Sequence, residues 1–478
     1  MTVCLICEGS YPYILGGVSG WVQMLIRENP QLDFVIWSIA TSREEMHEYQ
    51  YEIPSNVKEI RTFYLADRKF EKSKRPVRLT AKEKASLRSL VLDEADRIDW
   101  EPVMVFLEKY GARLGDILMG KDFYHAVVEL YNRKYTRVVF SQFLWNMRSM
   151  YFPLVCVLSG GMPSVDLYHA VSTGYAGLLG AVASHVTKCP FLLTEHGIYT
   201  REREEEIIRS DWVIGSYKQL WINFFLKLSR IAYLQADRVV TLFEVNRQLQ
   251  IELGCPPQKT GIIVNGVDTA RFSNLPARSK EDDRYFTVGA VVRVVPIKDI
   301  KTMLLAFDRV KSKRPDARLM LVGPFDEDRA YYEECRMLAD ELGTGDVVFT
   351  GRADVTVYLP LFDVMMLTSI SEGQPLSVLE GMAAGVAQVC TNVGACRELL
   401  DGREGDPYGP AGLIAPVMDP KAISDAVLTL AENEALRKQM GENGRKRAKT
   451  YYEKKDFLTA YQKLYQELGG NTHGGNRV

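Results

Sequence analysis

The sequence predicts an α/β protein built from two Rossmann-like parallel-sheet domains. Three observations carry that expectation. The chain has 478 residues, more than one hydrophobic core accommodates, so two domains of roughly 200 residues each are expected. Short apolar runs alternate with helical patterns, as in parallel sheets joined by crossover helices. Near the start, a strand, a glycine-containing loop and a helix follow one another, as in the first unit of a nucleotide-type fold.

Composition narrows the class. Hydrophobic residues make up 46% and charged residues 25%, as in an ordinary globular chain. A net charge of -2 gives no overall attraction to nucleic acid or to an anionic membrane. No run approaches the roughly 18 apolar residues that cross a bilayer. Residues 1–7 lack a basic segment and a cleavage site, so they read as a first strand rather than a signal peptide. Cys4, Cys7, Cys156 and Cys390 sit in apolar runs and read as small core residues of a reducing compartment. Cys4 and Cys7 have the spacing of a redox or metal pair, but residues three apart on a strand point to opposite faces. No metal cluster is expected.

The first domain is expected over residues 1–275. Strand 2–7 leads into the loop 8–20, where Gly16 and Gly17 allow a phosphate or sugar to approach the backbone closely. A turn that merely needs glycine is the plainer alternative. Residues 33–40 form the second strand. From about 42 to 150 the pattern is less regular and reads as a helical insertion that helps choose substrate or partner. Within it, Thr80 and Glu83 form a capping box, Asp99 opens a second helix, and residues 121–134 form another. The basic stretch 67–76 reads as a solvated connector. Strands resume at 166–171 and 190–194. His169 lies inside the first and reads as buried structure. His196 follows the end of the second, beyond the strand's carboxyl end, where open α/β sheets bind ligands. Arg201 and Arg203 come close behind and could contact an anion. Strands 238–242 and 260–264 complete this half, and residues 273–283 read as the linker.

The second domain is expected over 284–455, with strands at 286–292, 318–322, 347–350, 387–390 and 412–415. Its centre is residues 364–385. An apolar strand, a short loop and a helix place free backbone N–H groups at a positive helix end, a ready anion site. Pro375 suits the first helical turn. Glu372 precedes the helix and Glu380 lies one to two turns inside it. The carboxylates can reach two parts of one ligand, and a nucleotide-sugar fits that spacing. Two solvated glutamates on an ordinary turn are the alternative. Arg293 and Lys298, beyond the first strand of this domain, can neutralise a diphosphate together with the helix N–H groups. Residues 456–478 are expected as an amphipathic helix returning to the N-terminal domain, followed by a flexible tail.

In this order these pieces resemble the retaining glycosyltransferases of family 4, which have the GT-B architecture of two Rossmann-like domains facing across a deep crevice. The matching residues are Gly16 and Gly17, His196 after Thr194 and Glu195, residues 265–268, Arg293, Lys298, and Glu372 and Glu380 separated by seven residues. Residues 8–20 and 195–204 are similar to the cytosolic glycosyltransferases of Pel-type exopolysaccharide systems. The resemblance implies a UDP-sugar donor, with UDP-glucose the usual candidate. It implies a polysaccharide acceptor, no metal, no nucleic acid, and an inner-membrane synthase or export complex as partner of a cytoplasmic protein. It also implies roles. Arg293, Lys298 and the backbone at Leu376 and Ser377 hold the diphosphate, Glu380 the ribose and Glu372 the sugar. Gly17 and His196 close on phosphate and sugar. A UDP-sugar epimerase or hydrolase, or a nucleotide-sugar-binding subunit without catalysis, would use the same residues.

Overall fold

In the computed structural model the chain divides into two units, Met1–Ile262 with Tyr461–Val478, and Ile263–Ala460. The structure describes residues 1–44, 48–66, 77–159, 161–213, 215–276, 278–279, 282–343 and 345–470. The basic stretch 67–76 and residues 471–478 lie outside the described residues.

The first unit is a seven-stranded parallel sheet. Its strands are β1 (Thr2–Glu8), β2 (Asp33–Ala40), β3 (Val57–Tyr64), β4 (Leu167–Ala170), β5 (Phe191–Glu195), β6 (Arg238–Thr241) and β7 (Thr260–Ile262), in the order β3-β2-β1-β4-β5-β6-β7. The central strands β1, β2, β4 and β5 are buried almost end to end, as sheets covered on both faces require. The strand order reverses between β1 and β4, with Val3 opposite Leu167.

In the expected helical insertion one element is a strand, and one helix runs past the expected end at about 150. Val57–Tyr64 is a strand of the main sheet, paired along β2. It is an edge strand whose Lys58 and Glu59 are exposed, so its apolar signal is diluted. Phe140–Leu158 is a 19-residue helix with Pro153 inside it. The capping box forms as expected, with Glu83 N–H on Thr80 Oγ1 at 3.3 Å and Thr80 N–H on Glu83 Oε2 at 2.7 Å. That helix runs over Ala81–Leu92.

The insertion is tied down by a buried lysine. Lys227, on helix Gly215–Gln235, donates to the carbonyls of Leu90 at 2.7 Å and Val91 at 3.5 Å, at the C-terminal end of helix Ala81–Leu92. Burial lowers its pKa from 10.5 to about 7. Between pH 7 and 10.5 the folded state therefore binds fewer protons than the unfolded chain, so this site's contribution to stability rises with pH and is lost as pH falls through 7. The melting temperature of the natural chain minus that of Lys227→Met is expected to grow from pH 7 to pH 9.5, read by thermal melts. A difference that is flat with pH would refute the assignment.

The second unit is a six-stranded parallel sheet of β8 (Phe286–Val291), β9 (Ala317–Val322), β10 (Val347–Gly351), β11 (Val364–Leu367), β12 (Ala387–Thr391) and β13 (Gly412–Ala415), in the order β10-β9-β8-β11-β12-β13. The reversal falls between β8 and β11. The expected linker 273–283 lies inside this unit, and the division falls between Ile262 and Ile263. The last helix, Lys454–Gly470, starts two residues before the expected 456. From Tyr461 it belongs to the first unit. There Tyr465 Oη lies 2.7 Å from His169 Nδ1, and Tyr461 Oη lies 3.1 Å from Thr194 Oγ1.

Candidate functional site

In a doubly wound sheet, the loops that leave the carboxyl ends of the strands at the order reversal part to opposite faces and leave a ligand crevice. In the second unit these are the loops after β8 and β11, which carry Arg293, Lys298 and Glu372. Backbone and hydroxyl bonds lock the two loops together. Ile370 N–H donates to the Ile297 carbonyl at 2.9 Å. Thr368 Oγ1 donates to the carbonyls of Lys298 and Asp299 at 3.0 and 3.1 Å. Asp299 adopts a left-handed conformation, φ 47°, and caps helix Ile300–Lys313 through Thr302 N–H at 3.3 Å.

The Glu372 loop is also held from behind. Ala395 N–H donates to the Gly373 carbonyl at 2.9 Å. Gly394 has φ +50°, and a Cβ there would lie 2.2 Å from the Gly373 carbonyl oxygen, so only glycine fits.

Lys298 Nζ lies 2.5 Å from Glu372 Oε1, and Ser369 Oγ donates to the same oxygen at 2.5 Å. The side chains keep 16% and 10% of their exposure, so the ion pair is shielded from water without being sealed from a ligand. Both bonds use Oε1, and an ammonium has three donors. Glu372 Oε2 and two Lys298 N–H groups therefore remain for a ligand. Arg293 is bound instead to Glu327, at 2.6 and 2.9 Å, and both are well exposed. Such pairs contribute little and exchange readily.

Helix Leu376–Ala384 begins at this loop. Pro375 is its N-cap rather than its first helical residue, no side chain caps it, and Gly385 ends it in the left-handed conformation. Leu376, at 39% exposure, marks an open helix end. Glu380 lies in its second turn. Burial pushes the Glu380 carboxyl up to about 7, opposed in part by the charge of Arg271, which is itself paired with Asp354 at 3.1 Å. Among the described residues no group donates a hydrogen bond to the Glu380 carboxylate.

The first unit answers its corresponding helix end differently. Glu8, at the end of β1, accepts from the N–H groups of Tyr175 and Ala176 at 2.8 and 3.1 Å, in the first turn of helix Gly174–Thr187, and from Tyr199 Oη at 2.7 Å. The chain's own carboxylate thus fills that anion seat. Glu195, at the end of β5, is fully buried and accepts from Tyr233 Oη, Gln250 Nε2, Tyr199 N–H and Thr173 Oγ1 at 2.7 to 3.2 Å. Burial raises both carboxyl pKa values against these bonds.

His196 follows Glu195. Its ring stands edge-on to Trp21 at 4.7 Å, burial lowers its pKa to about 4, and its Nε2 is buried without a partner. It is a neutral imidazole at physiological pH, with one nitrogen unspent. His169 is fully buried on Tyr465 and Thr194, and its pKa is lowered to about 3, by burial first and by the charge of His196 second. Its role is structural, as its position inside the strand implies. Arg203 lies over the Tyr199 ring and pairs with Glu206, and Arg201 is exposed.

Gly17 opens helix Gly17–Arg27 and Gly16 is its N-cap, with φ 176°. Gly16 N–H reaches Tyr51 Oη at 3.4 Å. A Cβ on either glycine meets no protein atom within 4 Å. Gly17→Ala is therefore expected to melt within about a degree of the natural chain, since surface changes away from special features cost little. Donor turnover is expected to fall about tenfold or more, because a small displacement of a bound reactant is costly. Unchanged turnover would remove the loop from the site.

Among the described residues no group of three or more His, Cys, Asp and Glu could hold a metal ion. No helix among them is long and apolar enough to cross a membrane.

The second unit sets an ion pair and an uncapped helix end at its order reversal, an arrangement able to receive an anionic ligand. Comparison with known proteins agrees. Residues 272–447 match the family Glycosyl transferases group 1, and residues 1–258 match a domain of unknown function, DUF3492. The chain belongs to the group 1, family 4, glycosyltransferases of GT-B fold. It is 26% identical over 300 residues to the MMP alpha-(1->4)-mannosyltransferase of Mycolicibacterium hassiacum, covering 61% of this chain and 68% of that one. Its fold is similar to that of HepE from Anabaena, solved in complex with UDP-glucose, at a TM-score of 0.58 and 15% identity over 97% of this chain and 100% of that one. It is also similar to sucrose-phosphate synthase from Thermosynechococcus elongatus, at a TM-score of 0.60 and 17% identity over 98% and 99%.

Proposed function

We propose that the protein moves a hexose from a UDP-sugar, UDP-glucose or a related donor, to a growing polysaccharide of the Pel type, with retention and without a metal ion. The observation that carries this reading is the Lys298–Glu372 pair beside the open N-terminus of helix Leu376–Ala384. It offers cations and N–H groups to a diphosphate and a free carboxylate oxygen to a sugar.

The N–H groups of Leu376 and Ser377, with Lys298 and Arg293, hold the diphosphate. Arg293 exchanges Glu327 for phosphate. Ionised Glu380 accepts from the ribose hydroxyls, and Glu372 Oε2 from a hydroxyl of the hexose. Gly16, Gly17 and His196 supply donor contacts from the first unit. In the reaction the bond between the anomeric carbon and the phosphate oxygen breaks, and a bond from that carbon to an acceptor hydroxyl oxygen forms. The acceptor proton passes to the departing phosphate. Charge develops on that phosphate, and Lys298 and the helix end are placed to stabilise it. The protein works in the cytoplasm, and its partner is an inner-membrane synthase or export complex.

A panel of nucleotide-sugars, scored by calorimetric binding and by release of nucleoside diphosphate with and without a glycan acceptor, tests the reading. UDP-hexose binding with acceptor-dependent UDP release and a new glycosidic bond is the expected result. UDP-sugar consumed without such a bond identifies an epimerase or hydrolase. Binding without turnover identifies a non-catalytic subunit.

A further inference from the structure

Gln374 stands two residues after Glu372, inside the loop that the proposed function gives to the donor, and only 5% of it is exposed. Its Oε1 accepts from the backbone N–H of Asn265 at 2.6 Å. That bond settles which end of the amide is which. The oxygen is spent, and the amide nitrogen is the spare end, buried with no acceptor. Asn265 is itself 6% exposed, and its Oδ1 is buried with no donor. The Gln374 amide thus grips the backbone of the very residue whose side chain carries the unused acceptor. Leaving such a buried group unpaired is costly, and one lies on the Glu372 loop and the other on the segment that this loop grips.

A partner for both must accept from Gln374 and donate to Asn265. A phosphate oxygen has no proton to give Asn265. An ammonium has no lone pair for Gln374. A hydroxyl has both. We propose that Gln374 and Asn265 together read one hydroxyl of the transferred sugar and so help set which hexose is accepted. This rests on the donor assignment above and deepens it. Glu372 Oε2 and the Gln374 amide then contact the same sugar from one loop, with Asn265 joining them from the segment after β7. A site that hydrogen-bonds a substrate hydroxyl rejects the analogue lacking it far more strongly than an apolar site rejects a change of size.

The test uses the full chain, with UDP, the hexose donor selected by the panel, and its four mono-deoxy analogues. Gln374→Glu keeps an oxygen for Asn265 N–H and removes the spare donor. In the natural chain one deoxy analogue is expected to lose at least a hundredfold in kcat/KM. Gln374→Glu is expected to lose at least tenfold on the parent donor and to become indifferent to that same hydroxyl. Its affinity for UDP alone stays within twofold. The pair serves a buried water or the fold only if Gln374→Glu lowers UDP affinity and melting temperature together and keeps the natural deoxy profile. That result overturns the inference. So does a natural chain that loses less than threefold with every deoxy analogue, an outcome that needs no folded variant. A natural chain that turns over no hexose donor overturns the proposed function first, and this inference with it.

Discussion

Lys298→Ala is expected to lower turnover by about a hundredfold or more, the usual consequence of removing one preorganised charge-stabilising donor. The side chain does two things at once in the structure. It pairs with Glu372 at 2.5 Å, and the proposed function gives its remaining N–H groups to the leaving phosphate. In the variant Ser369 still donates to Glu372, so the carboxylate keeps that bond and the loop keeps its backbone bonds. The loss should fall on kcat, with binding of UDP affected less. Single-turnover release of UDP measures this directly, and a variant that releases UDP at the natural rate would refute the role.

Glu380→Gln is expected to weaken UDP binding by about tenfold to a hundredfold at pH 8, the loss of charge-assisted bonds from two ribose hydroxyls. The effect should depend on pH in a defined direction. The carboxyl titrates at about 7 in the free protein because of its burial, and only the ionised form accepts from both hydroxyls. UDP affinity of the natural chain should therefore fall as pH drops below 7, while that of Glu380→Gln stays flat. Stability runs the other way. A folded pKa above the ordinary 4.5 gives stability that is complete below pH 4.5 and lost as pH rises through 7. Glu380→Gln should melt with the natural chain at pH 4.5 and above it at pH 8. Calorimetric titration and thermal melts over that range check both halves. Parallel pH profiles in the two proteins would remove Glu380 from the nucleotide.

The strand, loop and helix around Glu372 were legible because each part carries its own local signal. Those signals are a four-residue apolar strand, an uncapped N-terminus after Pro375 and a terminal Gly385 in the left-handed region. His169 was likewise legible as structure from its place within β4. Long-range pairing was not. Nothing local says that Lys298 finds Glu372, or that Arg293 finds Glu327, because those partners meet only after the sheet has formed. The edge strand Val57–Tyr64 was missed because it borders a single neighbour and carries charge. Glu8 and Glu195 were passed over for a different reason. Each is one acid closing an apolar strand, and only the fold surrounds it with donors. A carboxylate that ends a buried parallel strand is the signal that could have flagged both.

The carboxylate of Glu8 across the start of helix Gly174–Thr187 bears on stoichiometry. Two sheets wound on the same plan could each offer a berth to a nucleotide. The earlier one has already been taken by the polypeptide, permanently and at no cost in ligand. A calorimetric titration with UDP should therefore saturate at one molecule per chain, and an excess of donor should not inhibit by crowding into a duplicate berth.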